Sequence, residues 1–157
     1  MSAAGERARH ARSSASESGK MNWTLEVVLV PVADVDRAKE FFTEKLGFHL
    51  DFDSRGDGEF GPVQLTPPGS GCSIIIGKGI SSMEPGSLKG VQFVVADVRK
   101  ARQQLVERGV EVSEVRVAGP EGFRPARDGD NLDNVGFIVF DDPDGNHWTV
   151  QQISSRG

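Results

Sequence analysis

Residues 28–45 read VLVPVADVDRAKEFFTEK, and residues 91–108 read VQFVVADVRKARQQLVER. At a constant offset of 63 positions, Val28, Val32, Ala33, Asp34, Val35, Ala38 and Glu44 recur as Val91, Val95, Ala96, Asp97, Val98, Ala101 and Glu107. One supersecondary unit is therefore written twice. Each copy begins with an apolar, β-branched run suited to a strand. Asp34 or Asp97 follows as an N-cap able to accept the free amides of a first helical turn. Beyond the cap, Val35, Ala38 and Phe42 in one copy, and Val98, Ala101 and Leu105 in the other, fall on one stripe at three- and four-residue spacing, predicting a helix packed on a sheet. Gly47 and Gly109 stop these helices as residues at ease in the left-handed conformation.

Outward from the repeat, each helix leads into alternating segments. FHLDFD, PVQLT and CSIIIG follow the first; VEVSEVRV, VGFIVF and HWTVQQI follow the second. Asp142-Pro143-Asp144-Gly145 marks a turn before the last strand. Each half thus reads β-α-β-β-β, with a first module over residues 21–80, a linker over 81–89, a second module over 90–153 and a short tail over 154–157. Residues 1–20 hold Ser, Ala, Gly and charge without Leu, Ile, Val or Phe, so they cannot offset the entropy of ordering and are expected as a disordered tail.

The chain of 157 residues has a formal net charge of −5, and the tail's Arg7, Arg9, Arg12 and Lys20 outweigh Glu6 and Glu17, leaving the body more acidic than the whole. Such a balance opposes nucleic-acid binding, which needs a basic face. A single Cys72 rules out an intramolecular disulfide and fits a reducing cytoplasm. No apolar run approaches the ~20 residues needed to cross a bilayer. A cytoplasmic protein without a membrane partner is expected.

The paired V-x-x-V-A-D-V elements, the Leu46-Gly47-Phe48 after the first helix and the late Asp-Pro-Asp-Gly-Asn-His-Trp segment together resemble the vicinal-oxygen-chelate superfamily, the glyoxalase, bleomycin-resistance and dioxygenase type, over residues 22–153. The resemblance implies an α+β fold in which two tandem βαβββ modules form a curved mixed sheet around a cavity, with helices outside, in a homodimer. It also implies four metal-ligand positions, one seven residues before each capping Asp and one near the middle of each module's last strand. Here those positions hold Val27, Gly90, Ser73 or Ile75, and Thr149. None is the carboxylate or imidazole that a divalent cation needs several of. No metal and no cofactor are expected.

If these positions still mark the cavity side, period-two alternation places Leu29, Ser73, Ile75, Gln92, His147, Thr149 and Gln151 on the inner wall, with Trp148 and Val150 facing the helices. Apolar patches with amides, hydroxyls and one imidazole suit a neutral or aromatic small molecule. His147 is either a general base or a partly exposed residue just after a turn. His49, Asp51 and Asp53 alternate opposite Phe48, Leu50 and Phe52, forming a polar cluster or one solvated strand face. Residues 119–134, GPEGFRPARDGDNLDN, read as a long irregular loop; Phe123 is its candidate stacking lid and Arg124 its candidate anion contact, against a merely variable surface loop.

Three functions remain open: a metal-free binding module for an aromatic or neutral metabolite or antibiotic, a metal-independent isomerase, lyase or hydrolase, and a metal-dependent lyase or dioxygenase with ligands elsewhere.

Overall fold

The computed structural model describes residues 19–156, so the tail expected over residues 1–20 lies, through residue 18, outside the described residues. The fold is α+β and divides into two compact units, the first ending at Ser82 and the second starting at Met83.

In the first unit, β1 (Val27–Leu29) leads to α1 (Val35–Glu40), followed by β2 (His49–Asp53), β3 (Val63–Thr66) and β4 (Ser73–Ile76). The sheet order is β1-β4-β3-β2, with β1 parallel to β4 and the remaining pairs antiparallel. Asp34 caps α1 as expected, its Oδ1 accepting from Arg37 N at 3.0 Å. Val35, Ala38 and Phe42 are buried against the sheet with Val63, Leu65, Ile74 and Ile76. Burying a side chain such as Phe42 stabilises the unit by about 1.5–3 kcal/mol.

The helix does not run evenly to its stop. Phe41–Lys45 form a wider π-helical turn, closed by Leu46 N donating to Phe41 O at 3.2 Å. Within it the Thr43 hydroxyl donates to the Lys39 carbonyl at 2.8 Å, a local competitor for the regular backbone ladder. Gly47, at φ 74, then turns the chain toward β2.

The alternation expected through β2 breaks. The register against β3 shifts between Leu50 and Phe52, so that His49 pairs with Thr66, Phe52 with Gln64 and Asp53 with Val63. This bulge turns Asp53 to the helix side and Phe52 to the other, separating the three polar residues expected on one face. Asp53 there accepts from Lys39 Nζ at 3.0 Å and from Arg55 Nε and Nη2 at 3.0 and 2.7 Å. The Arg55 hydrogen bonds hold its carboxyl well below the usual carboxylate range, and Lys39 adds to them. Arg55 also reaches Asp36 of α1 at 2.9 Å, tying helix to strand.

In the second unit, β5 (Val91–Val95) leads to α2 (Val98–Glu107), then β6 (Arg116–Gly119), β7 (Gly122–Pro125), β8 (Gly136–Asp141) and β9 (His147–Gln152). The order is β5-β9-β8-β6-β7, with β5 parallel to β9. Asp97 caps α2 through Lys100 N at 3.1 Å, and Gly109 at φ 80 ends it. Val98, Leu105, Ile138, Phe140, Trp148 and Val150 form the core. Trp148 and Val150 thus lie on the helix-covered face, as alternation requires.

Two readings change here. VEVSEVRV is not one strand: Val112 makes only an isolated bridge to Phe140, and regular pairing starts at Arg116. The segment expected as an irregular loop contains β7, which forms a hairpin with β6. Gly122, at φ 104, supplies the turn conformation that makes this hairpin, and adds a strand to the module.

The Asp-Pro-Asp-Gly-Asn turn is held around one carboxylate. Asp142 Oδ1 accepts from Asp144 N and Asn146 N, both at 3.0 Å, while Oδ2 accepts from Asn146 Nδ2 at 2.9 Å and Trp148 Nε1 at 3.2 Å. Burial pushes the Asp142 carboxyl up, against these bonds. Asn146 Oδ1 accepts from Leu88 N at 3.0 Å, and Gly86 packs so close that a Cβ there would lie 2.0 Å from Asp144 O. The segment before β5 is thereby fastened to the final hairpin. After β9, where a short tail was expected, Ser154–Arg156 form a 3-10 turn in which Ser154 N and Oγ donate to Asp133 at 2.6 and 2.7 Å. No helix among the described residues is long and apolar enough to cross a membrane.

Candidate functional site

Each sheet buries one face under its helix and leaves the other open. Cross-strand partners share a face, so the register assigns the open faces directly. In the first unit the open face carries Val27, Leu29, Ser73, Ile75, Gln64, Thr66, His49 and Phe52, since Val27 pairs with Ser73, Leu29 with Ile75 and Gln64 with Ile75. Leu29 is 37% and Phe52 43% exposed, whereas Ser73 is buried. Asp51, at the bulge, joins this face by accepting from Gln64 Nε2 at 3.0 Å and from the Thr66 hydroxyl. Thr66 Oγ1 in turn lies 2.6 Å from Ser73 Oγ. His49 Nε2 is 3.8 Å from Asp51 Oδ1. Cys72, next along the chain, has its thiol pushed up by burial and then by Glu26.

In the second unit the open face carries Gln92 and Val94 of β5, His147, Thr149 and Gln151 of β9, and Phe137, Val139 and Asp141 of β8. Gln92 Nε2 donates to Gln151 Oε1 at 2.6 Å, and Gln151 Nε2 donates to Asn134 O at 2.7 Å. His147 Nδ1 lies 2.8 Å from Asp141 Oδ1. Phe123, 62% exposed on the hairpin, sets its ring edge against Phe137 with centroids 5.5 Å apart.

Of the residues singled out in the sequence, Leu29, Ser73 and Ile75 therefore share one open face, and Gln92, Phe123, His147, Thr149 and Gln151 share the other. Arg124 does not join them. It pairs with Val117 on the opposite face, where its guanidinium donates to both oxygens of Asp130 at 3.0 and 3.1 Å. That pairing raises the guanidinium and holds the Asp130 carboxyl at about 2. Arg124 thus already has an anion, supplied by the connection from β7 to β8.

Sequence reasoning missed Asp141 as the partner of His147. The signal was present: the two residues flank the Asp142–Asn146 turn symmetrically, which in a hairpin sets them opposite each other. It also missed Thr66 and Gln64, whose roles depend on the register of β3 against the bulged strand, and Phe137, which β7 brings to Phe123.

The four positions marked for metal ligands test whether a divalent cation fits. Val27 and Gly90 carry no donor atom. Ser73 is engaged with Thr66, and Thr149 offers one hydroxyl. Among the described residues no three His, Cys, Asp or Glu side chains converge as a metal-holding group. This donor set does not fit a hard or borderline cation, which needs several carboxylates or imidazoles.

The model of the Glyoxalase/Bleomycin resistance protein/Dioxygenase superfamily matches residues 24–150. Among solved structures, TnmS3, an antibiotic binding protein from Streptomyces sp. CB03234, is 31% identical, with a TM-score of 0.65 over 84% of this chain and 97% of that one. A glyoxalase/bleomycin resistance protein from the same organism is 30% identical, with a TM-score of 0.62 over 82% of this chain and 100% of that one. A superfamily member from Sphaerobacter thermophilus is 25% identical, with a TM-score of 0.65 over 83% and 97%. No curated protein matches the chain.

Proposed function

The chain belongs to the glyoxalase/bleomycin resistance protein/dioxygenase superfamily, and on that premise we propose that it binds an aromatic or uncharged small molecule, a metabolite or antibiotic, without a family-type metal. The observation that carries this reading is the composition of the open faces. Exposed apolar groups, Leu29 and Phe52 on one and Phe123 on the other, lie beside neutral amides and hydroxyls. Apolar area supplies affinity in such a lining, and a few fixed polar groups orient the ligand. Similarity to an antibiotic binding protein supports the same reading.

Within this proposal Phe123 and Phe137 stack on an aromatic ring, while Gln92, Thr149 and Gln151 supply its polar contacts. Leu29, Ser73 and Ile75 play the corresponding part in the first unit. The protein is proposed to work as a homodimer in the cytoplasm. A thermal-shift screen of aromatic metabolites and antibiotics tests the reading, because a ligand that binds only the folded state raises the melting temperature by mass action. A blank screen would count against it. Metal analysis of protein purified without a histidine tag should find no stoichiometric divalent ion.

A second reading rests on His147 and Asp141. An imidazole oriented by a carboxylate is the arrangement of a general base, and it would serve a metal-independent isomerase, lyase or hydrolase. Under this reading His147→Ala abolishes turnover and leaves binding largely intact; an unchanged rate would remove His147 from that role.

A further inference from the structure

The hydroxyls on the open face of the first unit have only one consistent arrangement of protons. Thr66 has a single hydroxyl proton and gives it to Asp51 Oδ2. The contact between Thr66 Oγ1 and Ser73 Oγ, at 2.6 Å, must then be donated by Ser73. Ser73 thus turns its proton inward, along a relay that ends on the carboxylate, and presents only lone pairs to anything else. Gln64 likewise spends an Nε2 proton on Asp51, at 3.0 Å, leaving its Oε1 to accept. Asp51 Oδ1 makes no hydrogen bond among the described residues and faces His49 Nε2 at 3.8 Å, beyond hydrogen-bonding distance, so it is left to accept. Among the described residues no Lys or Arg bonds to Asp51, in contrast to Asp53, which the bulge has turned toward Lys39 and Arg55.

From this directionality we infer that the open face of the first unit selects molecules that present hydrogen-bond donors, with a protonated amine on an aromatic body favoured most. The inference rests on the reading of the open faces as small-molecule sites and adds the polarity of the ligand. Three acceptor atoms are left on this face, the buried Ser73 Oγ, Gln64 Oε1 and Asp51 Oδ1. Asp51 contributes a charge that no Lys or Arg among the described residues offsets and that His49 faces at 3.8 Å, and Phe52 exposes a ring whose face attracts cations. An anion brought to the same place meets the like charge of Asp51 and these lone pairs, with the second Gln64 Nε2 proton and the His49 ring as the donors left to it. Such repulsive elements discriminate between ligands as effectively as attractive ones.

Three probes that share an indole ring separate the possibilities: tryptamine with an ammonium, indole-3-ethanol with a hydroxyl, and indole-3-acetate with a carboxylate. Binding to the full chain is followed by NMR titration, so that the resonances that shift locate the site. Tryptamine should bind tightest and indole-3-acetate weakest, spanning about tenfold or more, the scale of a charge-assisted hydrogen bond at a partly exposed site. Asp51→Asn should shrink that span to within about threefold. Thr66→Val breaks the relay and frees the Ser73 proton, so indole-3-acetate should gain affinity relative to the unaltered protein. A residue that only supported the fold would not produce this gain. If all three probes shift open-face resonances with equal affinity, or if Asp51→Asn leaves the order and span unchanged, donor selection is overturned while small-molecule binding stands. If none of them shifts these resonances, both fall.

Discussion

His147 and Asp141 are direct cross-strand partners, and Nδ1 of the imidazole lies 2.8 Å from Oδ1 of the carboxylate. A carboxylate accepts only, so in the neutral ring the proton resides on Nδ1 and Nε2 bears the lone pair. Long-range proton–nitrogen NMR should show His147 in the Nδ1–H form, and Asp141→Asn should move it toward a mixture. A wild-type ring in the Nε2–H form would mean that this pair does not orient the imidazole.

Phe123 stands on a hairpin with most of its surface exposed and its edge on Phe137. Phe123→Ala should weaken binding of an aromatic ligand by about 3- to 10-fold, the scale of one aromatic pair. The unfolding free energy should stay within about 0.5 kcal/mol of the parent, as for other surface substitutions. Calorimetric titration beside a urea melt checks both; a large stability loss with unchanged affinity would assign Phe123 to the fold.

Gly86 and Gly90 both have positive φ, 82° and 91°, but differ in surroundings. A Cβ at Gly86 meets Asp144 O at 2.0 Å, while one at Gly90 meets open space. Gly90→Ala should cost about 1–2 kcal/mol, the left-handed penalty alone. Gly86→Ala should cost at least about 2 kcal/mol more, because backbone must move. Equal losses in chemical denaturation would disprove the close approach.

Stability should fall in acid, and Asp53 should contribute to the fall. Its folded pKa is depressed by Arg55 and Lys39, so its stabilisation is present above the unfolded value of 3.8 and is lost as pH drops below that toward the folded value. Asp142 has the opposite sign: burial raises its folded pKa, so relative stability is full below 3.8 and is lost as pH rises from there toward the folded value. Asp53→Asn should lower stability at neutral pH by on the order of 1 kcal/mol, as for a partly buried ion pair, and flatten the acid limb. Urea melts between pH 7 and about 2.5 read this out; a parallel displacement at every pH would show that ionisation of Asp53 is not involved.

The repeat, both caps and both helix stops were legible in the sequence because each depends on a few adjacent residues: Asp34 and Asp97 bond amides three positions on, and Gly47 and Gly109 need only their own φ. The alternation of β9 was equally local, and it placed Trp148 and Val150 correctly in the core. What escaped the sequence depends on register between distant strands. The bulge in β2 is invisible until β3 lies beside it, and with it go the separation of Asp51 from Asp53 and the hydroxyl relay. The β6–β7 hairpin hid behind a composition of Gly, Pro and Arg that reads as loop, because an edge hairpin needs little apolar sequence.

The bulge at Asp51 also bears on how such a protein can change over generations. Deleting one residue there would restore simple alternation and remove Asp51 from the open face, while Asp53 stays opposite Val63 and keeps Lys39 and Arg55. Recognition and anchoring are thus inherited separately, one on the extra residue and the other on the strand around it. Drift that alters the ligand's reception need not disturb the helix, and specificity in this lineage should evolve by gain or loss of one residue in β2 as readily as by exchanging side chains around it.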